Sequence, residues 1–78
     1  MSPLPPGDYR ATFRELGAMV RQLEEGQRTG LVDGFIVLRW RSLDATSRKN
    51  LWAMCKGSML ARKGYDATLG PYGATHDG

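Results

Sequence analysis

The sequence predicts a small α+β domain: helix, strand and helix on a minimal sheet, with disordered termini. Three observations predict it. The chain has 78 residues, enough for one domain at most. Residues 9–25 place apolar side chains at three- and four-residue steps, whereas residues 35–41 are a short run of β-branched and aromatic side chains. A second helical stretch follows, so the element order is that of one or two helices resting on a few strands.

Residues 1–7 hold three prolines and a glycine and are expected to form a flexible lead-in to a domain spanning 8–65. This start lacks a basic segment and an apolar run, so it does not resemble a signal peptide. Asp8 suits the N-cap of a first helix over 9–25, with Phe13, Leu16, Val20 and Leu23 on its inward stripe. Gly26 is its expected stop. Thr29-Gly30 and Asp33-Gly34 then mark turns.

Phe35 to Arg41 is the expected strand. Alternation puts Ile36, Leu38 and Trp40 on one face and Phe35, Val37, Arg39 and Arg41 on the other. A lone strand leaves its backbone unpaired. Its partner must come from residues 27–33, from the N-terminal segment or from a second subunit, and the last option implies a homodimer. Asp44, Thr46 and Ser47 are candidate caps for a second helix running from about 45 to Lys63 and ending at Gly64. Leu51, Met54, Cys55, Ser58 and Met59 form its inward side. Residues 66–78 show no periodicity and are expected to be a flexible tail. The expected core is Phe13, Leu16, Val20, Leu23, Ile36, Leu38, Leu51 and Cys55.

Charge is distributed unevenly. The net charge is +3. Residues 1–33 carry four basic and five acidic side chains, residues 34–65 seven and one, and residues 66–78 two acidic ones, so the middle segment has a net +6. Such clustering is the footprint of a polyanion partner. On a continuous second helix, Lys49, Lys56 and Lys63 recur every seven residues on one side, with Trp52 between the first two. Arg39 and Arg41 close the strand upstream, and Arg48 adjoins Lys49. Cations neutralise phosphates, and an aromatic face stacks an exposed base. Arg39, Arg41, Arg48, Lys49, Trp52, Lys56 and Lys63 are therefore the candidate nucleic-acid-binding residues, with single strands favoured.

The inventory argues against other chemistry. One cysteine, Cys55, and one histidine, His76, leave no triad and no zinc ligand set, so neither catalytic nor metal residues nor cofactors nor a small-molecule substrate are expected. No apolar run is long enough to span a membrane. A single reduced cysteine fits a cytoplasmic protein.

Arg41-Ser42-Leu43-Asp44, then Arg48-Lys49, then Leu51-Trp52-Ala53, resembles a segment of the lambdoid-phage recombination protein NinB family. There a strand runs into Arg-Ser-Leu-Asp, a basic pair follows, and Leu-Trp-Ala opens a helix. The likeness is confined to about residues 35–55; Ala45-Thr46-Ser47 stands where the family has Gln-Asn, and Asn50 is additional. It implies single-stranded DNA binding and an accessory role in recombination. The alternative is a small phage- or plasmid-type regulator that binds and inhibits a host protein complex, anchored by Trp52, Met54 and Met59.

Overall fold

In the computed structural model, which describes residues 5–70, four helices follow one another: α1 (Phe13–Thr29), α2 (Gly34–Arg41), α3 (Ala45–Cys55) and α4 (Met59–Leu69). No strand is present among the described residues, only one isolated parallel bridge between Tyr9 and Leu43. The fold is all-helical, and the expected α+β architecture is corrected. Residues 66–69, expected to belong to a flexible tail, are the last turn of α4; the remainder of that tail from residue 71 on, His76 included, and the first four residues lie outside the described residues.

α1 starts later and ends later than expected. Thr12, not Asp8, is its N-cap: Thr12 Oγ1 accepts from Glu15 N at 3.1 Å, and Glu15 Oε1 accepts from Thr12 N at 2.9 Å. This reciprocal pair satisfies two donors that a helix start otherwise leaves bare. α1 passes through Gly26 and stops at Gly30, whose φ of 76° is the left-handed geometry glycine adopts without strain.

The largest correction is residues 35–41, which are helix. Asp33 caps them, its Oδ1 accepting from Phe35 N at 2.8 Å. Ile36, Val37 and Trp40 turn inward at helical spacing, and Trp40 is only 1% exposed. Leu38, which a strand would have buried beside Ile36 and Trp40, is 63% exposed. The physical reason is backbone satisfaction. A strand needs a partner ladder, and the N-terminal segment pairs instead with the turn at 42–44, through Gly7 N to Leu43 O, Tyr9 N to Ser42 O and Asp44 N to Tyr9 O at 2.8–3.0 Å, while most of residues 27–33 is taken up by the end of α1 and the cap of α2. A helix closes its hydrogen bonds within itself.

The expected long helix 45–63 is broken into α3 and α4. Gly57 and Ser58 form the break, and Ser58 caps α4, its Oγ accepting from Ala61 N at 3.2 Å. Ser58 therefore does not lie on a helix face, and Met54 and Met59 are exposed rather than inward. Gly64 does not stop the helix; it lies inside α4, buried against α1. A Cβ there would sit 2.8 Å from the Leu23 carbonyl oxygen. The helices can approach so closely only because the side chain is absent.

The core joins α1, α3 and α4, with α2 packed on α4 through Trp40. Leu16, Leu23, Leu51 and Cys55 are buried as expected, Val20 and Ile36 are half-buried, and Phe13 and Leu38 are exposed. Ala11, Met19, Trp40, Leu43, Ala61, Tyr65 and Leu69 complete it. Gly64→Ala is expected to destabilise the domain by about 1–3 kcal/mol through overpacking, outweighing the gain of about 1 kcal/mol in helix propensity. Urea denaturation checks this; a stabilised variant would show that the α1–α4 contact is looser than described.

Candidate nucleic-acid interface

The seven candidate residues separate into three groups. Arg48 is wholly buried. Its Nε donates to the Leu43 carbonyl at 3.2 Å, and its Nη2 to the carbonyls of Arg41 at 2.7 Å and Pro5 at 3.1 Å. A guanidinium held this way builds the domain and is not presented to a ligand. Trp52 is half-buried against the core, its ring 5.4 Å from that of Tyr65 and tilted by 54°. The indole is therefore partly engaged in packing, the core role that competes with base stacking.

Arg39, Arg41, Lys49, Lys56 and Lys63 are exposed. Arg39 Nη2 lies 3.2 Å from Glu15 Oε2, an ion pair that ties α2 to the start of α1. Arg41, Lys49, Lys56 and Lys63 stand outside the ion pairs found among the described residues, which are Arg10–Asp44, Arg28–Glu25 and Arg39–Glu15. α1 carries equal numbers of basic and acidic side chains, whereas α2 and α3 carry no acidic one. The net positive charge therefore sits on α2 to α4.

The break at Gly57 changes how the lysines are arranged. Lys49 and Lys56 remain on one side of α3, Lys56 as its C-cap, but Lys63 rides on α4. The seven-residue spacing thus does not set all three on one helical face. What sequence reasoning missed is the rest of that α3 side: Thr46, Lys49, Ala53 and Lys56, at steps of three, four and three, are all exposed. Ala53, between the two lysines, is a small side chain and is exposed. The signal was present in the sequence as a helical repeat of lysine and small residues.

The opposite side of α3 is occupied by the N-terminal segment. Ser47 Oγ accepts from Ala11 N at 2.9 Å, and Asp44 caps α3 by accepting from Ser47 N at 2.7 Å while pairing with Arg10 Nε at 2.6 Å. The Ser47 amide, followed by Arg10, holds the Asp44 carboxyl below the usual range. Glu15 is lowered likewise, first by the Thr12 amide and then by the Tyr9 hydroxyl, which donates to it. Cys55 is buried, and that burial pushes its thiol up to about 12, with Glu24 and Asp66 adding to the shift. A thiol so placed is a packing group rather than a nucleophile.

Among the described residues no group of His, Cys, Asp and Glu could hold a metal ion, and no helix is long and apolar enough to cross a membrane. Comparison with protein-family models, with curated proteins and with solved structures finds no match. The strand that the resemblance to the NinB family implied ahead of Ser42 is a helix here.

Arg48→Met is expected to cost about 3–5 kcal/mol in unfolding free energy, because buried carbonyls lose their donors at about 1–3 kcal/mol each. Chemical denaturation reads this, and a near-neutral result would show that the carbonyls find other donors. Acid sensitivity follows from Asp44 and Glu15. Their folded-state pKa values are lowered, so their contribution is present above the unfolded carboxylate pKa of about 4 and is lost as pH falls through the folded value. Stability should hold from neutral pH to about 5 and decline below about 4, and Asp44→Asn should make that decline shallower in pH-dependent thermal melts.

Proposed function

We propose that this domain is a small, non-enzymatic nucleic-acid-binding protein whose contact surface is the lysine side of α3, extended by Lys63 and Arg41. The observation that carries it is the exposed cations Arg41, Lys49, Lys56 and Lys63, outside the ion pairs among the described residues, on or beside helices α2 and α3 that carry no acidic side chain, whereas the exposed Arg14 and Arg21 share α1 with three glutamates. Lys49 and Lys56 lie seven residues apart, about 10 Å along the helix, on a rigid element. Point charges so spaced suit a row of phosphates and carry no base-reading geometry. Trp52 is half-buried against the core, so the preference for single strands rests on the resemblance to the NinB family more than on the indole. A reduced, buried Cys55 fits a cytoplasmic setting.

The second reading is a regulator that binds a host protein complex. Exposed Met54, Met59 and Leu60 beside the cation Lys56 favour it, since methionine adapts to a protein partner's surface.

Fluorescence anisotropy with labelled single-stranded DNA, RNA and duplex, each over a salt series, tests the first reading. Four phosphate contacts predict a log–log salt slope of about −3 to −4. The Lys49→Glu/Lys56→Glu variant changes only exposed side chains and should flatten that slope by about 1.5–2 units. Unchanged affinity and slope in a folded variant would refute the reading and favour the protein-binding one.

A further inference from the structure

α2 buries one face and leaves the other uncovered. Ile36, Val37 and Trp40 pack inward, while Phe35 is 79% exposed and Leu38 63%. Gly34, Leu38 and Arg41 follow one another at steps of four and three, so they share a ridge, with Phe35 beside it. Asp33, Gly34, Phe35 and Leu38 line one shallow depression on this side. Nothing lies within 4 Å of where a Gly34 side chain would be, so the helix backbone is open to close approach there.

The face has its acid at one end and its base at the other. Asp33 caps the start of α2, Arg41 stands in its last turn, and the apolar pair lies between them. Run antiparallel against itself, such a surface matches: Asp33 of one copy meets Arg41 of the other, and Phe35 lies on Leu38. Run parallel, it sets like charge on like. A two-fold interface requires this self-complementarity, because the same patch serves both subunits. We propose that the outer face of α2 is a homodimer interface, with two α2 helices packed antiparallel about an axis near Ile36 and Val37. The occupant is a second copy of this chain, since a partner of one charge sign would satisfy only one end of the face. The strand pairing expected from the sequence plays no part; the contact is helix on helix.

The patch is smaller than a standard interface of about 800 Å² per partner, so the dimer should be weak, with Kd of about 1–100 μM. Sedimentation velocity without nucleic acid should show 8.6 kDa monomer at low concentration and a shift to dimer at several times Kd. Leu38→Glu should hold the protein monomeric with unchanged helicity by circular dichroism, because Leu38 is exposed. Asp33→Asn keeps a capping side chain and removes the charge, so it should weaken the dimer several-fold at low salt and less at high salt. A monomer at every concentration would overturn the proposal, as would a dimer that Leu38→Glu leaves intact. Neither variant touches Lys49 or Lys56, so the dimer tests and the charge reversal on α3 are read separately; Arg41 is the one residue that both surfaces use.

Discussion

The assembly of this domain turns on the buried guanidinium of Arg48. From α3 it reaches the carbonyls of Arg41 and Leu43, at the end of α2 and in the turn after it, and the carbonyl of Pro5 in the N-terminal segment. Its own backbone carbonyl accepts from the Tyr65 hydroxyl on α4 at 3.2 Å. One residue thus references α2, α3, α4 and the incoming chain to each other. The carbonyls at the end of a helix lack intrahelical donors and carry the negative end of its dipole, so a cation is well suited to them. Only arginine offers a planar fork of five donors that can serve acceptors in several directions at once. Burying such a charge is costly, and the return is a specified geometry: with Arg48 satisfied, residues 5–11 must lie along α3, which hides Ser47 and half-covers Asp44.

That constraint explains which parts of the fold were legible. α1 was legible because its apolar stripe repeats over several turns, and Leu16 and Leu23 keep the inward positions that stripe assigns them. α2 was not. Eight residues give barely two turns, and Ile36 and Trp40 are inward in either a strand or a helix. Only Leu38 against Val37 separates the two, and β-branched composition outweighed that single difference. Tertiary structure decided it: of the two segments of the chain that might have paired with a strand, the N-terminal one is committed to the turn at 42–44, and residues 27–33 go largely to the end of α1 and the cap of α2. The glycines misled for a related reason. Gly64 has the look of a helix stop, yet it stays helical because α1 passes too close for any side chain, a contact invisible in the chain's own order. The break at Gly57-Ser58 was legible as a glycine followed by a capping serine, and the inward stripe that took in Ser58 ran the helix through it.

The site was legible in charge and illegible in geometry. That the basic excess lies beyond residue 33 needs only counting. Which cations face solvent needs the fold. Arg48 and Lys49 are neighbours in sequence, yet one is wholly buried and the other exposed, because adjacent helical positions point about 100° apart. The ion pairs and the buried carbonyl contacts are made by arginines, Arg48, Arg39, Arg28 and Arg10, whereas Lys49, Lys56 and Lys63 join Arg41 as surface charges outside the ion pairs among the described residues.

The same accounting gives α2 its character. A helix of two turns is not stable alone and depends on packing for its persistence. Its packing here rests chiefly on Trp40, whose ring is almost wholly buried although its indole N–H has no hydrogen-bond partner among the described residues. Such an N–H costs about 1–3 kcal/mol when left unsatisfied, so the ring's apolar burial must exceed that to hold the helix in place. A chain this size buries only about 60–65% of its unfolded surface, which leaves little apolar area in reserve. Leaving Phe35 and Leu38 in water on the most weakly anchored helix is therefore a poor solution for an isolated monomer. It becomes a sensible one if a second α2 covers them, because the contact then stabilises the element that the domain's own core holds least.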